Sequence, residues 1–276
     1  ELFFQFVEKL KELDEIKYEH LFVDGTKIEA NANKYSFVWK KSTTKYEARN
    51  TAKLETRLAE LSSKYGIICN TTEELCAYLY DKAIKPFVYG RGHRKTELQR
   101  DIEELEQLLK KKSQYRNYQG LFKGRNSFSK TDTDATFMHM KEDHMRNAQL
   151  KPGYNIQLGV EAEYIVGVDL SSERSDQLTL IPLMEKLRNR GIEYRDLTAD
   201  AGYESEENYT YFDNIETECY IKPQNYERSK TKKFKSNMAL RENMDYDAEL
   251  DEYTCQADKK LRATYVGNQV TKSGYV

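Results

Sequence analysis

Cysteine is scarce: the 276 residues hold four, Cys69, Cys76, Cys219 and Cys255. They form no CxxC pair, and Cys69 and Cys76 have no nearby histidine to complete a zinc site. Their number and spacing do not suit a disulfide framework, so a reducing cytoplasm is expected. Long apolar runs are missing as well. No stretch approaches the roughly 18 residues of a membrane span, and no signal peptide is visible. Neither sign of charge dominates, with 44 basic against 46 acidic residues and a net charge of −2. The average charge therefore does not mark a nucleic-acid binder, and any such face must be a local patch. The chain begins at Glu1 and ends at Val276 without an obvious terminal element, so a piece of a longer protein is expected.

Hydrophobic residues make up 38% and charged residues 33%, with 21 Tyr and 11 Phe adding bulk. Together these predict a real core plus a charged, solvent-facing extension. Leu2, Phe3, Phe6, Val7, Leu10 and Leu13 share one helical face. The run His20–Thr26 reads as a buried strand that delivers Asp24 near its end. In residues 45–65, Leu54, Leu58, Leu61 and Tyr65 recur at three and four. Leu98, Ile102, Leu105 and Leu109 do the same in residues 96–112. These are heptad-like amphipathic helices, expected to form a hairpin or to offer a dimer seam. Between them, Thr71 reads as an N-cap followed by first-turn acids.

Residues 113–150 are polar, with few apolar repeats. After Pro152 and Gly153 the period becomes two, giving strands at 154–160 and 164–168 joined by a three-residue turn. Ser175 and Asp176 are expected to cap a helix that Gly191 stops. Residues 197–199 form a short strand ending at Asp200, Ser205 opens a helix, and residues 218–222 form a further strand.

Two acids thus stand at the ends of short apolar strands. If those strands are neighbours, about 4.8 Å apart, Asp24 and Asp200 can share a hard divalent ion, Mg²⁺ or Mn²⁺. A pair of such ions activates a water or a 3′-hydroxyl and stabilises the leaving oxygen of a phosphodiester. Strand-end Asp is also a common turn and N-cap residue, so the pair, in this strand order, carries more weight than either acid alone.

Residues 23–32, Val-Asp-Gly-Thr-Lys-Ile-Glu-Ala-Asn-Ala, resemble the first-Asp motif of bacterial insertion-sequence transposases with a DDE domain. Residues 134–141 resemble that family's lead-in to its second strand, and 153–157 the strand itself. Residues 199–205, Ala-Asp-Ala-Gly-Tyr-Glu-Ser, resemble the second-Asp motif, and 222–224 the strand that follows. The matches run in family order over roughly residues 1–225.

The resemblance implies an α/β, ribonuclease H-like mixed sheet flanked by helices, with a helical insertion after the first strand. On this reading residues 1–40 and 126–224 form the core, 41–125 the insertion, and 225–276 a polar insert or the start of a C-terminal part. It also implies metal-dependent DNA cleavage and strand transfer, with Asp24 and Asp200 as catalytic metal ligands and Mg²⁺ or Mn²⁺ as cofactor. Implied too are DNA as partner, a homodimer in the synaptic complex, and a cytoplasmic, nucleoid-associated setting. No family Glu motif is evident before Val276, so the third carboxylate is expected past it and this chain alone is expected to be inactive. The alternatives are a related ribonuclease H-like nuclease and a non-catalytic DNA-binding remnant.

Candidate DNA contacts are Lys27 and the run Lys222, Arg228, Lys230, Lys232 and Lys233, which is interleaved with Tyr220, Tyr226 and Phe234. Arg91, His93, Arg94 and Lys95 form a second basic patch. His139 and His144, near Asp134 and Asp143, read as surface residues or DNA contacts. Glu204 reads as an auxiliary ligand or a helix-start acid.

Overall fold

The computed structural model of the chain describes residues 1–83, 86–90, 94–140, 149–271 and 273–275. The chain opens with α1 (Leu2–Glu12), β1 (His20–Glu29) and β2 (Phe37–Trp39). Three helices follow, α2 (Lys40–Tyr65), α3 (Thr72–Lys82) and α4 (Glu97–Phe122). Then come β3 (Ser127–Ser129), β4 (Thr136–His139), β5 (Leu150–Glu161) and β6 (Tyr164–Ser171). Next are α5 (Leu180–Arg188), β7 (Asp196–Ala199), α6 (Glu206–Asn214) and β8 (Glu218–Ile221). The last part holds α7 (Tyr226–Ser229), α8 (Lys232–Lys235), β9 (Asp245–Asp247), β10 (Glu252–Thr254) and β11 (Lys260–Arg262). No helix among the described residues is long and apolar enough to cross a membrane.

The chain divides into two compact units, residues 1–28 with 154–276, and residues 29–153. The first holds a mixed α/β sheet in the order β6-β5-β1-β7-β8. β1, β7 and β8 are parallel, while β5 and β6 are an antiparallel hairpin. That hairpin turns tighter than the three residues expected. Glu161 pairs with Tyr164, and the two loop residues Ala162 and Glu163 both have positive φ, 49° and 69°. This conformation matches the strand twist.

The core of this unit lies on one face of the sheet. Leu21, Val23, Leu197 and Ala199 meet Val7 and Leu10 of α1, Leu183 and Leu187 of α5, and Phe212 of α6. Gly159 and Gly167 allow this approach, since a Cβ on Gly159 would stand 3.0 Å from Leu21 and one on Gly167 3.3 Å from Leu187. The opposite face is open: Phe22, Leu170 and Tyr220 are all exposed.

β5 reverses the usual alternation. Asn155, Gln157 and Glu161 point into the interior, while Ile156, Leu158 and Val160 are only half-buried. Each buried polar group has partners, as burial demands. Glu161 is wrapped by the α1–β1 connection, accepting amide hydrogens from Lys17 at 3.0 Å, Tyr18 at 3.2 Å and Glu19 at 3.1 Å. Glu161→Ala strands three amide donors, so it should lower stability by about 3 kcal/mol. A urea midpoint unchanged from wild type would show that solvent replaces the carboxylate at no cost.

The second unit is built on the helices. α2 and α4 are antiparallel, with Arg57 reaching Glu104 and Lys64 reaching Asp101 and Glu97. The expected leucine seams close within the chain, since Leu61, Ile102 and Leu105 are buried against Leu75 and Leu79 of α3. α3 opens on a capping box, in which Thr71 accepts from the Glu74 amide and Glu74 accepts from the Thr71 amide. α4 runs on to Phe122, past the segment 96–112 read from the sequence. Its continuation packs Tyr118, Leu121 and Phe122 against Phe128 and Val38, on β3 and β2, two short paired strands the sequence did not announce. β4 pairs with residues 150–153 at the start of β5. Arg125 is buried here and donates to the carbonyls of Leu121, Phe122, Thr133 and Asp134.

Candidate active site

The parallel pairing of β1 with β7 sets Leu21 beside Leu197 and Val23 beside Ala199. Asp24 and Asp200 are the next residues along, so they stand side by side where the pairing ends, Asp200 at the carboxyl end of β7 and Asp24 midway along β1, which runs on to Glu29. Parallel register keeps paired residues on one side of the sheet. Phe22 and Thr198 are exposed on the open face, and Asp24 and Asp200, both exposed, share that side by alternation. Carboxylates at the carboxyl ends of strands are where open α/β sheets place ligand-binding groups.

Local structure sets the backbone at both acids. Asp200 caps a short 3₁₀ turn over Ala201–Tyr203, accepting the Gly202 amide hydrogen at 2.9 Å. Its turn role and its placement at the strand end therefore coexist. Gly25, next to Asp24, is flush against a buried amide and phenol. A Cβ there would stand 2.8 Å from Gln157 Nε2 and 3.0 Å from Tyr203 Oη.

Beneath the two acids lies a polar network that sequence reading did not assign. The buried Tyr203 phenol donates to Gln157 Oε1. Gln157 Nε2 donates to Asn155 Oδ1 at 3.0 Å and reaches Asp176 Oδ1 at 3.4 Å. Asn155 Nδ2 donates to the same Asp176 oxygen at 2.7 Å. Asp176 was expected as a helix cap, but it turns towards this network and α5 begins only at Leu180. The other Asp176 oxygen and Asp200 Oδ1 both lie within 3.2 Å of the point where a Gly202 side chain would begin. Glycine is thus what lets the two carboxylates flank that backbone. The available signal was two polar residues, Asn155 and Gln157, at period two in a strand otherwise rich in apolar residues.

Three carboxylates act on Tyr203. Burial, then the charges of Asp176, Asp200 and Asp24, push its phenol far above the ordinary tyrosine range. The phenol is therefore a permanent hydrogen-bond donor, and its surroundings carry concentrated negative charge. Hard oxygen donors in such a field suit a small divalent cation. Among the described residues, no group of three His, Cys, Asp or Glu side chains is gathered to enclose a metal ion.

The other predicted site residues are placed as follows. Lys27 lies three residues past Asp24 on β1, on the side of Val23 and Gly25 by alternation. Lys222 and Lys230 both pair with Glu227, at 3.0 and 3.3 Å, and lie over the Tyr226 ring. Arg228, Lys232 and Lys233 are exposed on α7 and α8. Glu204 accepts the Gln224 amide hydrogen at 2.6 Å, tying the chain after β8 to the 3₁₀ turn. His139 is exposed at the end of β4, and Asp134 is 3.3 Å from Lys123. Arg94 is exposed and Lys95 pairs with Glu103 at 2.5 Å. Arg91, His93, Asp143 and His144 lie outside the described residues.

A family model described as "Transposase DDE domain" matches residues 126–273. The match contains Asp176, Asp200 and the Asn155–Gln157–Tyr203 network. Asp24 precedes it and joins the site through strand pairing. No curated protein and no solved structure matches the chain.

Proposed function

This chain belongs to the family of transposase DDE domains, and on that premise we propose that it cuts and joins DNA phosphodiesters during transposition of an insertion sequence. The observation that carries this reading is the register of β1 with β7, which brings Asp24 and Asp200 side by side where the two strands stop pairing. The mixed sheet with helices on one face supports a ribonuclease H-like core, with α2–α4 as its helical insertion.

Asp24 and Asp200 would hold Mg²⁺ or Mn²⁺. When bound, the ion supplies charge for activating a water or 3′-hydroxyl and for stabilising the departing oxygen. The chain's own residues fix the geometry. The Gly202 amide orients the Asp200 carboxylate. The Tyr203–Gln157–Asn155–Asp176 chain of hydrogen bonds supports the backbone at Gly25 and Gly202, adjacent to both acids. A third carboxylate would complete the set. Lys27, Lys222, Arg228, Lys230, Lys232 and Lys233 are proposed phosphate contacts. A homodimer would bring two element ends together, through surfaces other than the leucine seams buried within each chain.

A joining assay in the full-length protein tests this. Labelled element-end DNA and a supercoiled target should give joined products only with Mg²⁺ or Mn²⁺. Cut ends that never join would favour the hydrolytic nuclease, and binding with neither step would favour the non-catalytic remnant.

A further inference from the structure

The helical unit is electrically polarised along its length. Its proximal half, residues 40–53 of α2 and 110–123, which is the rest of α4 with the residue after it, holds ten basic side chains and one acidic one. The distal half, residues 54–65 and 97–109, holds three basic and seven acidic. The chain as a whole is nearly neutral, so this separation is local and large.

The two halves also differ in how their cations are used. Distally, Arg57 is held by Glu60 and Glu104, and Lys64 by Glu97 and Asp101. Proximally, Lys41, Lys45, Arg49 and Lys53 are all exposed, and none makes an ion pair among the described residues. Lys111 and Arg116 of α4 are likewise exposed and make no ion pair among the described residues.

Lys41, Lys45, Arg49 and Lys53 recur at every fourth residue. Thr43, Asn50, Leu54 and Leu61 form the buried stripe of α2, and helical periodicity turns this basic row away from it. Adjacent members rise about 6 Å along the axis, so the row spans about 18 Å, close to five base pairs of duplex. Like charges at this spacing destabilise a helix. Distally the helices relieve such charge with carboxylates; proximally Lys112 and Lys123 meet Glu73 and Asp134, while the row on α2 has no such relief among the described residues.

Granting the DNA-directed function above, we propose that the proximal half of the α2–α4 hairpin, through the row Lys41–Lys45–Arg49–Lys53, is a docking surface for the phosphate backbone of duplex DNA. The row has regular charge spacing and no built pocket, so it grips DNA of any sequence and takes no part in base reading. It also differs from the run at 222–233, where Lys222 and Lys230 already share Glu227.

The test is fluorescence anisotropy of the 276-residue chain on a labelled duplex, with salt varied. Replacing all four residues, Lys41→Gln, Lys45→Gln, Arg49→Gln and Lys53→Gln, should shallow the slope of log affinity against log salt by roughly 3 to 4. Arg49→Gln alone should shallow it by about 1. Arg57→Gln, which removes a charge already paired, should leave the slope unchanged. All four positions in the row are exposed, so circular dichroism should show wild-type helix content. Tight, salt-dependent wild-type binding whose slope survives the fourfold change overturns the docking surface and leaves the DNA-directed function standing. A wild-type chain that binds no duplex at low salt overturns both. Binding to polyglutamate with none to duplex overturns the proposal in favour of an acidic protein partner.

Discussion

Asp24→Asn and Asp200→Asn should each lower DNA joining by about 10³-fold or more in the full-length protein, which is about 4 kcal/mol of transition-state stabilisation. Both changes keep the size and most hydrogen-bonding capacity of the side chain and remove its charge. Asp200→Asn retains a carbonyl oxygen for the Gly202 amide, so the 3₁₀ turn should persist. What is lost is the anionic oxygen that a divalent ion needs.

A second readout separates this from a structural role. Asp24, Asp200 and Asp176 all raise the energy of a negative charge at Tyr203, so all three act on one buried phenol. Without divalent ion, each variant should melt close to the wild-type temperature. Added Mn²⁺ should stabilise the wild type and leave the variants unmoved, by ordinary linkage of binding to folding. Variants that melt well below wild type and still respond to Mn²⁺ would make the acids structural.

Gly25→Ala should destabilise the first unit by about 2–3 kcal/mol, a large effect for one methyl group. The new Cβ would sit 2.8 Å from Gln157 Nε2 and 3.0 Å from both Gln157 Oε1 and Tyr203 Oη. Flexible side chains at a surface would swing aside, but these two are fully buried. Moving Gln157 breaks its bonds to Asn155 and Tyr203 and disturbs the support of Asp176. Buried polar groups left unpaired then add to the steric cost. Shortening the neighbour should relieve the clash, so Gly25→Ala with Gln157→Ala should cost less than the sum of the two single changes. Chemical denaturation of the four proteins checks this. Additive losses would show that the glycine is not held by Gln157. Because Gly25 follows Asp24 directly, Gly25→Ala should also weaken Mn²⁺ binding.

The elements with strong periodicity were legible from residues alone. The seams of α2 and α4 are set by apolar residues at three and four, and the helices at Thr71 and Ser205 by caps that form as expected. β7 was legible as a short apolar run ending in an acid; β1 was legible as far as Asp24, though it runs on to Glu29. The short strands β2, β3 and β4 were not, because three or four residues carry too little pattern to show a period. β5 was legible as an alternating strand, but its buried face was not, for a different reason. Alternation identifies the two faces of a strand without saying which is buried. Here Asn155, Gln157 and Glu161 take the inside because partners await them.

The sequence by itself determined the two acids, the strands that deliver them and the charge carried by each stretch of helix, since these depend on local composition and period. Only the tertiary structure decided that Asp24 and Asp200 meet, because residues so far apart in the chain become neighbours through the pairing of β1 with β7. It likewise decided that Asp176, Tyr203, Gln157 and Asn155 form one network under them, and which lysines are neutralised by a carboxylate. These depend on which strands and helices pack together, and so on contacts between distant residues that local pattern does not contain.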